Sequence, residues 1–173
     1  RYPSYNSNTS VELALDQGQI EWANLFSPNL QQTYVSRNAA NNHYYFPPGY
    51  DVTLYLNLGK FPFNQLAVRQ AISLAIDRQQ ISKVGEGGYD PPASPTGLVL
   101  PNDQAYLSSE YSNASFTVDT NRANQLLQGA GFSKGTDGIY ADKNGKKLEF
   151  TLNVVAGFTD WATDSQIIAS ELK

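Results

Sequence analysis

The chain is predicted to be of the α/β class, and two patterns carry that prediction. Segments with a capping residue and apolar side chains three and four apart recur at 9–18, 64–76 and 119–131, the spacing of one helix face. Between and after them lie runs rich in β-branched and aromatic residues at 20–23 and 51–57, and a strictly alternating run at 148–154, the period of a half-buried strand. With 173 residues, 40% of them hydrophobic, the chain suffices for one ordinary globular domain or for parts of two.

Taken in order, Thr9 is placed to cap a first helix, with Glu12 completing a capping box. Val11, Ala14 and Leu15 form its apolar face, and Gly18 supplies the left-handed stop. Ile20-Glu21-Trp22-Ala23 reads as a short strand. A polar, Asn-rich stretch at 36–42 and a Pro47-Pro48-Gly49 turn lead to a second strand, Asp51-Val52-Thr53-Leu54-Tyr55-Leu56-Asn57. Asn64 is the expected cap of the next helix, with Phe63 stapled onto Val68 and with Val68, Ala71, Ile72 and Ala75 facing inward. Asp77 restarts the chain as a second cap, so two helices should meet there.

From 85 to 118 the sequence is a long Pro-, Gly-, Ser- and Tyr-rich loop. Such a loop is either functional or held by its own packing, and Val99, Leu100, Tyr106, Leu107 and Tyr111 are its expected anchors. Asp119 caps a third helix with Ala123, Leu126, Leu127 and Ala130 inside. Gly131 ends it, and Phe132 folds back on Leu127. Gly138-Ile139-Tyr140, the turn Asp142-Lys143-Asn144-Gly145 and the alternating Leu148, Phe150, Leu152 and Val154 predict a β-hairpin. A last helix should begin near Asp160, with Ile167, Ile168 and Leu172 apolar, and it reaches Lys173 without a stop signal.

The formal charge of −4 is spread without a basic stripe, which argues against nucleic acid as a partner. There is no cysteine, hence no disulfide or thiolate metal site. No apolar run approaches the ~20 residues of a membrane span. No signal peptide is read at the start, and Met is absent, so a processed chain or a fragment is expected. His43, the one histidine, lies in a polar loop without a nucleophile motif nearby and reads as a surface or strand-edge residue. No His, Asp and Glu cluster has metal-ligand spacing. Gly85-Glu86-Gly87-Gly88 lacks the Lys-Ser/Thr of a phosphate loop and reads as a flexible turn. No catalytic residue, metal or cofactor is expected, and the chain is not read as an enzyme.

Three ordered stretches then carry a resemblance. They are Phe61-Pro62-Phe63-Asn64 with Val68-Arg69-Gln70-Ala71-Ile72-Ser73-Leu74-Ala75-Ile76-Asp77-Arg78-Gln79-Gln80-Ile81; Asp119 to Ala123 with Leu126-Leu127 and Ala130-Gly131-Phe132; and Asp137-Gly138-Ile139-Tyr140-Ala141-Asp142-Lys143-Asn144-Gly145-Lys146. Together they resemble the family 5 extracellular solute-binding proteins, and 15–22 is similar to a helix and strand of that family's first lobe, with Gln17, Glu21 and Trp22 departing from the usual residues.

The resemblance implies a fragment of a periplasmic-binding-protein type II-like fold: 1–56 the tail of lobe I and a hinge strand, 57–173 an incomplete second lobe. It implies an extracytoplasmic component, periplasmic or a cell-surface lipoprotein, of an ABC importer that captures oligopeptides or a similar small solute by hinge closure. The implied partners are the solute and ABC permease subunits. The protein should be a monomer, peripheral to the membrane only through its full-length form. An oligosaccharide receptor and a ligand-sensing regulatory domain without transport are the alternatives.

The candidate ligand residues are Trp22 and Phe26, at and beyond the end of a lobe I strand where open α/β sheets present ligand groups, and Tyr55 and Asn57 on the presumed hinge strand. Burial habits make Trp22 and Phe26 candidates for the core as well, and Asn57 could instead satisfy hinge backbone. Asp77 as a cap and Arg69 as a helix-surface pairing group are read as structural.

Overall fold

The computed structural model of the chain describes residues 2–173. They divide into two compact units: the residues up to Pro47 with Gln79–Pro91 and Asn153–Ile167, and Pro48–Arg78 with Pro92–Leu152 and Ile168–Lys173.

In the first unit, helix α1 spans Asn8–Asp16. Its cap is Ser7, not Thr9: the Ser10 amide donates to Ser7 Oγ at 3.2 Å and the Ser7 amide to Ser10 Oγ at 3.3 Å. The sequence holds five polar residues in a row, Asn6 to Ser10, and tertiary contacts chose among them. The Asn8 amide donates to the Gly157 carbonyl at 3.0 Å, and Asn8 Nδ2 donates to Thr159 Oγ1 and Asp160 Oδ1. This fixes Asn8 inside the first turn. A Cβ at Gly157, which has φ +93°, would stand 2.4 Å from the Asn6 carbonyl oxygen, so the strand-like approach to Asn8 needs glycine there. Ala14 is buried on the inner face, and Gly18 takes the expected left-handed turn at φ +66°.

After a short helix α2, Leu30–Thr33, a 3₁₀ turn, Val35–Arg37, places Arg37 in an ion pair with Asp16. Tyr89 gathers an aromatic cluster, stacked on Phe46 at 4.7 Å and edge-on to Phe26 and Tyr44. Its hydroxyl accepts from the Leu30 amide at 3.0 Å.

The second unit is built on α3, Leu66–Ala75, packed against α5, Thr120–Gly129. Between them in sequence lies α4, Arg78–Gln80, followed by a π-type turn, Ile81–Gly85. The break falls at Ile76 and Asp77, where two helices were expected to meet. Val68, Ala71, Ile72, Ile76, Ala123 and Phe132 are buried; each large apolar side chain removed from water contributes about 1.5–3 kcal/mol.

The cap of α3 is Gln65, without a side-chain bond, and Asn64 is not used. The Asn64 and Gln65 amides are bonded to the Lys60 and Pro62 carbonyls, so both residues belong to the turn that precedes the helix. Arg69 is half-buried, and its Nη1 donates to the Phe63 carbonyl at 2.8 Å: it ties the helix to its own entry and does not act as a surface pairing group. At the other end, Arg78 Nη1 donates to the Ser73 and Ile76 carbonyls, with the guanidinium 3.6 Å above the Phe116 ring. A cation placed there completes the unsatisfied carbonyls and favours the helix dipole.

The entry and exit of α5 follow the expectation closely. Asp119 accepts from the Arg122 amide at 2.8 Å. At the far end the Phe132 amide reaches the Leu127 carbonyl and the Gly131 amide the Gln128 carbonyl, both at 3.0 Å, with Gly131 at φ +87°, the bond pair of a Schellman stop. The Asp119 amide donates to the Leu74 carbonyl at 2.9 Å, joining the start of α5 to the last turn of α3.

The strands differ from expectation. Strand β1, Ser133–Lys134, pairs antiparallel with β2, Tyr140–Ala141, and the turn at 142–145 brings Lys147 opposite Ala141. The hairpin base therefore forms, with the Leu148 amide bonded to the Tyr140 carbonyl at 2.7 Å, but 149–154 is unpaired, as are 20–23 and 51–57. Alternation describes a strand's two faces and says nothing about the neighbour that must bond its edge. Among the described residues those neighbours are absent. In the long loop, Val99, Leu100 and Leu107 are half-buried as anchors, whereas Tyr106 and Tyr111 stand exposed on two 3₁₀ turns, Gln104–Tyr106 and Ser109–Tyr111. The last helix, α6, covers Thr159–Glu171 with Ile167 buried.

Candidate functional site

The four candidate ligand residues fall two by two in the two compact units. In the first, Trp22 is 69% exposed, so its indole is not part of the core. Trp22 follows directly on Gln19, Ile20 and Glu21, which with Tyr2, Pro3 and Tyr5 line an open depression of about 780 Å³. Tyrosine rings, a carboxamide and a carboxylate there offer flat apolar faces alongside hydrogen-bonding groups, a lining suited to a polar solute. Sequence reasoning missed Tyr2, Tyr5 and Gln19, because nothing in their spacing marks a shared wall. Phe26 is half-buried, with its ring 6.4 Å from that of Tyr89 at 68°, so one edge already serves packing.

In the second unit, Tyr55 is 88% exposed, and Asn57 is exposed. Asn57 Oδ1 accepts from the Gly59 amide at 3.1 Å, a local turn of its own backbone. Its amide nitrogen takes no part in that bond. A second hollow, of about 260 Å³, lies among Phe61, Gln65, Phe132 and the 142–144 turn. Lys146 Nζ sits 4.1 Å over the Phe61 ring, a cation–π contact.

Two further electrostatic features lie in this unit. Lys147, bonded to Asp137 at 2.7 Å, holds the Asp137 carboxyl below its ordinary range; both are exposed, and the pair is a surface one. Burial pushes the Glu171 carboxyl up, although it accepts from the Asp77 amide at 3.0 Å. His43 is exposed, the surface position expected of it. Among the described residues no group of three or more His, Cys, Asp or Glu is arranged to hold a metal ion, and no helix is long and apolar enough to cross a membrane.

A sequence profile described as "Bacterial extracellular solute-binding proteins, family 5 Middle" matches residues 1–173. The glutathione-binding protein GsiB of Escherichia coli (strain K12) is 29% identical over 133 residues, which are 77% of this chain and 24% of that protein. A crystal structure of a mannohexaose-bound periplasmic oligopeptide-binding protein from Thermotoga maritima superposes with a TM-score of 0.83 at 29% identity, over 98% of this chain and 32% of that one. NikZ from Campylobacter jejuni, in complex with Ni(L-His), gives 0.74 at 25% identity, over 97% and 32%. The chain thus spans about a quarter to a third of these three proteins.

Proposed function

We propose, for a chain that belongs to the family 5 bacterial extracellular solute-binding proteins and carries part of their α/β, type II periplasmic-binding fold, that its whole protein captures oligopeptides outside the cytoplasm for an ABC importer. Residues 1–56 are the tail of lobe I and a hinge strand in this reading, and 57–173 the start of the second lobe. Solute bound between two lobes stabilises the closed state by its differential affinity for that state, and permease subunits receive the closed form. The protein acts as a monomeric receptor, not as an enzyme. Its contact with the membrane comes through the importer and through its full-length form.

The observation that carries the proposal is the exposure of Trp22 and Tyr55. A soluble protein gains nothing in stability from leaving an indole and a phenol uncovered, whereas a binding surface uses rigid, amphipathic rings as anchors. Phe26 contributes the ring surface left by Tyr89, and Asn57 its amide nitrogen toward a peptide carbonyl. Peptides held through backbone hydrogen bonds leave their side chains in tolerant pockets, which gives broad specificity.

A second reading is supported by the mannohexaose in the Thermotoga protein: the same exposed rings suit stacking on sugar faces, and the solute would then be an oligosaccharide.

The test is calorimetric titration of the full-length protein with an oligopeptide series and with manno- and cello-oligosaccharides. Peptide binding is expected, weakened about tenfold or more by Trp22→Ala and by Tyr55→Ala. Binding of sugars alone would favour the second reading. Unaltered affinity in both variants would remove these residues from the site, and no binding of either class would end the proposal.

A further inference from the structure

Away from those residues, the first unit holds a knot of carboxyl groups. Glu86 follows the π-type turn and is 8% exposed; Asp164, midway along α6, is 9% exposed. Their carboxyls act on each other at close range, and two carboxyl groups can be joined by a hydrogen bond only when one of them carries a proton. Gly85 permits the approach, since a Cβ there would stand 1.7 Å from Asp164 Oδ1. That oxygen is buried and has no hydrogen-bond partner, so a charge on it would have no donor to stabilise it.

The surroundings deepen the effect. Asp160, in the first turn of α6, accepts from Asn8 of α1 at 3.1 Å, and Asp90 lies four residues beyond Glu86. Among the described residues, every charged group acting on Glu86 is acidic. Burial first, then the bond to Asp164 and the charges of Asp164, Asp160 and Asp90, push the Glu86 carboxyl up to about 9. Burial also raises Asp164 and Asp90. Without a cation, a buried carboxylate here would lack both solvation and an opposite charge.

We propose that Glu86 and Asp164 form a proton-held latch that pins the 81–90 turn onto α6, and that loss of the shared proton releases the turn. The inference is independent of which solute is bound. Its sign is opposite to that of a salt-bridged carboxylate. At pH values below the ordinary carboxylate range, Glu86 is protonated in the latched and the open turn alike, and the latch has its full strength. Above that range the open turn loses its proton while the latched turn keeps it, so the latch weakens as pH rises and is lost once pH passes the folded value.

Hydrogen–deuterium exchange of the full-length protein between pH 5 and 9, corrected for intrinsic exchange, tests this. Protection at 81–90 and 159–167 should fall with pH, by up to about tenfold per unit for one proton. Glu86→Gln keeps a donor without titrating, and its protection should stay level across the range. Glu86→Ala should lower protection at every pH. Level protection in the unaltered protein would overturn the latch, as would a Glu86→Gln profile that falls with pH as the unaltered one does.

Discussion

The α3–α5 pair and the stretch 20–58 use their apolar residues in opposite ways. In the helix pair, Val68, Ala71, Ile72 and Ala123 are buried, and Phe132 is folded back onto the end of α5 at 5% exposure. Caps at both ends of α5 satisfy its terminal backbone groups. Across 20–58, by contrast, Trp22, Tyr45, Tyr50, Val52, Tyr55 and Leu58 are exposed, and the regular backbone bonding is confined to the short helix α2 and to turns. One region converts apolar surface into stability. The other leaves it uncovered among the described residues.

That division can be broken by substitution in the intact protein. Phe132→Ala should have the largest effect, lowering stability in urea by about 3–5 kcal/mol, the usual loss for a buried ring replaced by a cavity. A loss below about 1 kcal/mol would mean that the helix pair does not carry the second unit. Asp119→Ala removes the side-chain acceptor for the Arg122 amide and should cost about 1 kcal/mol; Asp119→Asn, which keeps an acceptor, should recover most of it. Trp22→Ala and Tyr55→Ala should change stability least, by no more than about 0.5 kcal/mol, while weakening solute binding. If either destabilised the protein as Phe132→Ala does, its ring would be a packing element and the contrast would fail.

The helices were legible in the sequence because their signals are local. Asp119, Gly131 and Phe132 act within one turn of α5, so reading three or four residues at a time suffices. The cap of α1 was misplaced by two residues because the deciding partners, Gly157, Thr159 and Asp160, lie about 150 positions away. Strands at 20–23, 51–57 and 149–154 find no partner among the described residues: β-branched content reports a fit to a sheet surface, whereas the sheet requires an edge partner. Of the candidate site, the aromatic character of Trp22 and Tyr55 was readable, and their exposure was not. Glu86 was hidden in a glycine-rich turn that read as flexible. Its meaning comes from Asp164, which no motif connects to it.

The bond from the Asp119 amide to the Leu74 carbonyl also bears on how such a sequence can diverge. It joins the two ends of the excursion between α3 and α5, so the helices meet in the same way whatever lies between. The entropy of closing a loop grows only slowly, by about 0.6 kcal/mol for each doubling of its length. Insertions and deletions in the exposed part of that excursion, around Tyr106 and Tyr111, therefore cost the helix pair little. Related proteins can remodel this surface freely while the scaffold beneath keeps its register.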